Sequence, residues 1–180
     1  MALGATLYNL TLEIADVDRG VYETVELPVA RHPSETAEYM LTRVLAYALE
    51  YEDGITMTGG VSSGDEPAVA VRDPTGRLIA WIDVGMPDAA RLHRASKAAG
   101  RVAVYTHRDA RQLLAQLTGR KIHRAADIPI LAFERAFVED VAALVDRRTT
   151  LALSVTEGEL YVQIGDRTLQ SAVTRHRIEA

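Results

Sequence analysis

The sequence predicts an α/β fold, with a core ordered helix, three strands, helix, strand, an N-terminal β-hairpin and a C-terminal β-meander. Three observations predict it. Residues 6–16 and 149–173 are rich in alternating apolar and polar side chains, the period of two of half-buried strands. Residues 34–51 carry apolar side chains at the three-to-four spacing of a helix face. Residues 78–84 (LIAWIDV) are apolar on both faces, as in a strand inside a sheet.

The elements follow in order. Tyr8, Leu10, Leu12 and Ile14 share one face of the first strand, and Asp18-Arg19-Gly20 turns the chain into a second strand over Val21–Val29. His32-Pro33-Ser34-Glu35 supplies a proline near the first helical position and a carboxylate in the first turn, so the helix is expected over 34–51. Residues 55–58 form a short strand, and Gly59–Gly64 a loop. Strands at 67–72 and 77–84 are joined by Asp73-Pro74-Thr75-Gly76, with Pro and Gly where a type I turn favours them. A helix opens at Pro87 and stops at Gly100, and Val102–Tyr105 is the next strand. The helix between these two strands implies parallel pairing. A helix at 108–118, a strand at 128–133 and a helix at 134–147 lead to the meander of 149–155, 159–164 and 167–173. Thr174–Ala180 is polar and is expected to fray.

Composition narrows the chemistry. The 180 residues suit one domain, with 48% hydrophobic and 25% charged residues. The absence of cysteine excludes disulfides, thiolate metal sites and a thiol nucleophile. No N-terminal signal segment and no apolar run of about 20 residues is present, so a cytoplasmic protein without membrane contact is expected. The net charge of −5 is unevenly spread. Residues 1–90 carry 15 acidic and 5 basic side chains, whereas residues 91–124 carry 9 basic and one acidic.

Several residues are candidates for chemistry. Asp83 lies in an apolar strand, where an unpaired carboxylate is costly; it either caps the following helix, pairs with an arginine, or serves a functional site. Across the 73–76 turn, Asp65 and Glu66 fall near it, and acids converging there suit a hard cation such as Mg²⁺. Glu35 and Glu38 begin the long helix; periodicity favours Glu38 as the partly buried one. Arg91, Arg94, Lys97 and Arg101 follow at three-to-four spacing, either as a solvated face or as a phosphate-contacting stripe that Arg120–Arg124 extends. The five histidines (32, 93, 107, 123 and 176) show no metal spacing and read as surface residues.

The segments Arg31-His32-Pro33-Ser34-Glu35-Thr36, Ser62-Ser63-Gly64-Asp65-Glu66-Pro67, Trp81-Ile82-Asp83-Val84-Gly85-Met86-Pro87-Asp88 and Val104-Tyr105-Thr106 resemble, in order, the YaeQ family of bacterial proteins of uncharacterised function. The resemblance implies a restriction-endonuclease-like core, similar to the PD-(D/E)XK nuclease superfamily. On it, residues 1–180 form a single YaeQ-like domain: hairpin 1–30, nuclease-like core 34–106 and extension 107–180. The superfamily holds Mg²⁺ between acids on adjacent strands, and the metal activates water. Carried over, Asp83 is the second acid, Glu35 or Glu38 the helix acid, and Lys97 or Arg94 a basic group from the next helix. Two positions depart from the pattern. Ala68 stands where a metal-binding Asp is expected, leaving Asp65 and Glu66 as further ligands, and Gly85 stands where the nucleases have Lys.

The resemblance therefore implies a degenerate or very weak Mg²⁺-dependent phosphodiesterase. The alternative is a non-catalytic module that binds nucleic acid or a protein partner through residues 91–124.

Overall fold

The structure, a computed structural model, describes residues 4–58 and 64–179. Among these residues eleven strands form two mixed sheets, and four α-helices pack against them. Strand β1 (Thr6–Asp16) pairs antiparallel with β2 (Val21–Arg31), Leu10 facing Leu27. Tyr8, Leu10, Leu12 and Ile14 face inward, as the alternation predicts. Helix α1 (Ala37–Leu49) follows, then β3 (Ile55–Met57), β4 (Val69–Arg72) and β5 (Leu78–Val84) as an antiparallel series. Helix α2 (Ala89–Ala98) leads into β6 (Arg101–Thr106), parallel to β5. Helix α3 (Ala110–Leu117) and a 3-10 turn at Ala125–Asp127 lead to β7 (Pro129–Ala132), parallel to β6. Helix α4 (Arg135–Leu144) precedes β8 (Arg148–Thr156), β9 (Glu159–Ile164), β10 (Arg167–Ala172) and β11 (Thr174–Arg177).

The first sheet runs β10-β9-β8-β1-β2 and the second β11-β7-β6-β5-β4-β3. Strand β5 is interior, in accord with its two apolar faces. The hairpin and the meander, which the sequence suggested as flanking pieces, lie side by side because β1 and β8 pair in parallel. Asp18 fastens this join: its carboxylate accepts the backbone N–H of Glu157 (2.7 Å) and Gly158 (2.9 Å).

The core has two parts. Helices α1 and α4 pack between the sheets, with Val44, Leu45, Phe137 and Val141 meeting Leu12 and Leu153 on one side and Ile82 and Tyr105 on the other. Helices α2 and α3 cover the far face of the second sheet, where Leu92, Leu113 and Leu117 meet Trp81, Val104 and Ile130. The parallel strands β5, β6 and β7 at the centre of this sheet are thus covered on both faces.

Two expectations are corrected. The long helix starts at Ala37 rather than residue 34: Thr36 caps it, its hydroxyl accepting the Tyr39 N–H at 3.1 Å. Pro33 and Glu35 therefore precede the helix, in a turn closed by the Glu35 N–H on the His32 carbonyl (2.9 Å). The chain end does not fray at Thr174, because Thr174–Arg177 pairs antiparallel with β7 and Ile178 is buried against the α2–α3 core. This strand shields an otherwise open sheet edge. The loop expected over Gly59–Gly64 lies outside the described residues except for Gly64.

Candidate functional site

Strand β5 carries Asp83 near its C-terminal end, 2% exposed. Asp88 caps α2 by accepting the Arg91 N–H (2.8 Å), which sets Arg91 in the first turn. Side chains on a helix lean towards its N-terminus, and this brings the Arg91 guanidinium over Asp83. Arg91 Nε donates to Asp83 Oδ2 at 2.7 Å and Nη2 to Oδ1 at 3.0 Å. Such two-pronged, charge-assisted pairs are among the stronger hydrogen bonds. The remaining donors bind the 64–66 loop: Nη1 reaches the Gly64 carbonyl (2.7 Å) and Nη2 the Glu66 carbonyl (2.6 Å). The guanidinium carbon is 5.4 Å from the Trp81 ring centroid, a cation–π contact. The Asp83 hydrogen bond raises the Arg91 pKa still further and holds the side chain charged.

A second pair lies deeper. Glu35, just before α1, receives Arg43 Nε at 2.6 Å and Nη2 at 2.7 Å, with both side chains essentially without exposure. Nη2 also donates to the Ala30 carbonyl (3.1 Å), while Nη1 is buried with no hydrogen-bond partner. Glu38 is half-buried, as periodicity favours, but Glu35, read as lying further round, is the more deeply buried of the two and pairs with Arg43. Burial, and then the Asp83 charge, push the Tyr39 hydroxyl pKa up, and the charges of Arg43, Glu35 and Arg91 also act on it. Gly85, at φ +92°, lies against the Tyr39 ring; a Cβ there would come within 3.0 Å of Cε2. A lysine at this position would be strained by both backbone and ring.

The second-sheet register pairs Val69 with Ile82 and Ala70 with Trp81. The pairing ends there: Ala68, just before β4, is buried in the core with Ile82 and Val84. Asp65 and Glu66 are exposed, and Glu66 reaches Arg91 through its carbonyl. Among the described residues no three His, Asp or Glu side chains form a group able to hold a metal ion. Mg²⁺ wants several oxygens in near-octahedral array, whereas both Asp83 oxygens are engaged by Arg91. The residues as arranged do not fit a resident Mg²⁺.

The basic residues divide. Arg91 turns inward to Asp83. Arg101, at the opposite end of the parallel strands, pairs with Glu50 (2.9 Å) and Glu52 (3.4 Å) beside a cleft of about 500 Å³ between the sheets. Arg94 and Lys97 stay on the exposed side of α2, with no acidic partner among the described residues. Lys97 lies six residues past Arg91, roughly 9 Å along the helix axis. It is instead a neighbour of His93 and Lys121: burial, Lys97, Lys121 and His123 all lower the His93 pKa, with no acid among the causes. The 118–124 segment is fastened to α2 by Ser96 Oγ donating to the His123 carbonyl (2.6 Å) and by Arg124 donating to the Ser96 and Ala99 carbonyls.

Comparison with known proteins is decisive about kinship. A family model described as YaeQ protein matches residues 1–173. The chain belongs to the YaeQ family. Relatives described as uncharacterized protein YaeQ are 31% identical in Escherichia coli K12 and 30% in Salmonella typhi, each over 97% of both chains. Crystal structures of YaeQ proteins from Pseudomonas syringae (31% identity, 95% of each chain) and Xanthomonas axonopodis pv. citri (29%, 96% of this chain and 98% of that one) both superpose at a TM-score of 0.86. No helix among the described residues is long and apolar enough to cross a membrane.

In this YaeQ-family chain the sequence reading missed three side chains. Arg43 is one; the signal was its place as the lone cation among Leu41, Val44 and Leu45 in an otherwise uncharged helix centre. Tyr39 is another, and only its contact with Gly85 reveals it. His107 is the third, and the expectation of a surface histidine is corrected: it is 7% exposed. The Thr42 hydroxyl donates to the Glu38 carbonyl (2.8 Å), so its oxygen is left to accept from His107 Nδ1 (3.1 Å). With that assignment the neutral ring carries its proton on Nδ1.

Proposed function

We propose that the chain is a cytoplasmic nucleic-acid-binding protein built on a restriction-endonuclease-like core whose cutting chemistry is degenerate. The order α1-β3-β4-β5-α2-β6, with β5 antiparallel to β4 and parallel to β6, supports the core assignment. The engagement of both Asp83 oxygens by Arg91, with an alanine at position 68 and no metal-holding group of acids among the described residues, supports the loss of metal-assisted hydrolysis. The observation that carries the binding function is the basic face of α2 and the following segment: Arg94, Lys97, Arg120 and Lys121 are exposed and carry no ion pair among the described residues. Such a face contacts phosphates and so gives salt-dependent binding with little sequence selection.

The test is fluorescence anisotropy with labelled duplex DNA and RNA at several salt concentrations. If four cations each neutralise a phosphate on duplex DNA, log affinity falls with a slope of about −3.6 per log salt, roughly 150-fold between 50 and 200 mM. Arg94→Gln with Lys97→Gln reduces the slope by about 1.8. Absence of binding, or salt-insensitive binding, overturns the nucleic-acid reading and favours a protein partner on the same face. Cleavage that requires Mg²⁺ and is abolished by Asp83→Asn overturns the degeneracy.

A further inference from the structure

The cleft beside Arg101 lies between the sheets, where β6 and β7 begin and β1 and β8 end. Leu49, Leu131, Val155 and Val173 give it an apolar floor. Its walls are tied down. Arg19 donates to the Tyr51 (3.0 Å) and Ala48 (3.3 Å) carbonyls at the end of α1. Val173, where the chain crosses from the first sheet to the second, donates its N–H to the Gly158 carbonyl (2.9 Å). Most of the surrounding charges are engaged. Asp16 holds Arg19 at 2.7 Å, Asp18 holds the 157–158 backbone, and Glu50 accepts from Tyr105 Oη (2.8 Å) and pairs with Arg101 (2.9 Å).

Strand β11 supplies the exception. Arg175 lies opposite Leu131 and Arg177 opposite Pro129. Opposed residues share a sheet face, and Leu131 packs into the core between the sheets, so both arginines stand on the cleft side. Both are exposed, with no ion pair or side-chain hydrogen bond among the described residues. They line a second, more polar cavity of about 500 Å³, which shares Asp127, Pro129 and Arg175 with the first. We infer that the cleft binds a small amphiphilic anion, with its apolar body on the Leu131–Val155–Val173 floor and its carboxylate or phosphate head on Arg175 and Arg177.

An apolar hollow of this volume with a few converging polar groups is the usual form of a small-molecule site. A guanidinium offers paired donors that match two oxygens of a carboxylate or phosphate. Asp127 carries no ion pair among the described residues, so the unpartnered charges at the mouth are two positive and one negative, which selects an anionic head. The inference is independent of nucleic-acid binding on α2, and its test contains no nucleic acid.

The probe is naphthoate, titrated into the full chain by isothermal calorimetry. Naphthyl phosphate, neutral naphthalenemethanol and acetate are the comparisons. Saturable binding of naphthoate is expected, about tenfold tighter than the alcohol, which lacks the charge, and than acetate, which lacks the apolar body. Arg175→Gln with Arg177→Gln erases the preference over the alcohol and leaves the melting temperature unchanged, because both side chains are exposed and unpaired. Asp127→Asn tightens naphthoate about threefold by removing a like charge. A phosphate head that binds more tightly than the carboxylate identifies the natural head as phosphate, and the reverse order as carboxylate; either order supports the inference when it depends on the two arginines. No saturable binding, acetate equal to naphthoate, a preference that survives the double arginine change, or weaker naphthoate binding by Asp127→Asn overturns it.

Discussion

Replacing Arg43 with methionine removes the deepest charge in the protein while keeping most of its volume. The Glu35 carboxylate would lose two hydrogen bonds, at 2.6 and 2.7 Å, in a place where both side chains have at most 1% exposure. A pair of charges about 4 Å apart is worth roughly 4 kcal/mol at an effective dielectric of 20. The Ala30 carbonyl loses its donor too, which costs about a further 1 kcal/mol. The expected destabilisation is about 3–5 kcal/mol, the range for breaking one side of a buried pair. A domain holds only about 5–15 kcal/mol in total, so this is roughly a fifth of it or more. Urea unfolding followed by Trp81 fluorescence reads the loss as a midpoint lower by about 1.5–2.5 M for a slope near 2 kcal/mol/M. Arg43→Met combined with Glu35→Leu should cost far less than the two single changes added together. The native pair leaves Nη1 without a partner, so an apolar replacement gives up an imperfect network. A single substitution within 1 kcal/mol of the parent, or a double one equal to the sum, would refute the reasoning.

Two other outcomes follow from the same site. Gly85→Ala is expected to destabilise by about 1–3 kcal/mol, since φ is +92° and the new methyl meets the Tyr39 ring; an unchanged melting temperature would contradict this. His107 concerns pH: burial leads the lowering of its pKa, with Arg108 and Arg135 adding to it and Glu38 and Glu139 opposing. As pH falls below about 6.5, the unfolded chain takes up this proton before the folded one does, so stability drops towards acid by at most about 1.4 kcal/mol per pH unit. His107→Gln should therefore flatten the parent's loss between pH 7 and pH 5 in thermal melts, and parallel profiles would show that His107 does not titrate there.

Much of the fold was legible because local pattern and tertiary burial agree. The alternation of Tyr8, Leu10, Leu12 and Ile14 requires one buried face, and the unbroken apolar stretch around Trp81 and Ile82 requires two. What no period could reveal was the neighbour of a distant strand: nothing in residues 6–16 or 148–156 alone marks them as parallel partners. The site was half legible. Asp83 stood out because a charge within an apolar strand needs an explanation, and pairing with an arginine was among the readings it left open. Glu38 is half-buried as its helical angle suggests, but Glu35 was misplaced because that angle presumes a helical residue, whereas the Thr36 cap excludes Glu35 from the helix. Arg91 and Arg101 look alike in a spacing argument, and only the surrounding carboxylates assign each its direction.

The parallel pairing of β1 with β8 also sets an order of events during synthesis. Strand β1 is made long before β8, its parallel neighbour in the sheet. Its inner face, Leu10, Leu12 and Ile14, gains its second neighbour only when residues 148–155 have been made. Until then the hairpin is a short two-stranded ribbon with an apolar side in water, too small to be stable alone. At about 5–20 residues per second, the roughly 130 residues in between take on the order of ten seconds to appear. For that interval α1 is the nearest cover available to those three side chains, which makes the segment from Thr36 to Leu49 a shelter for the nascent chain as well as the centre of the finished core.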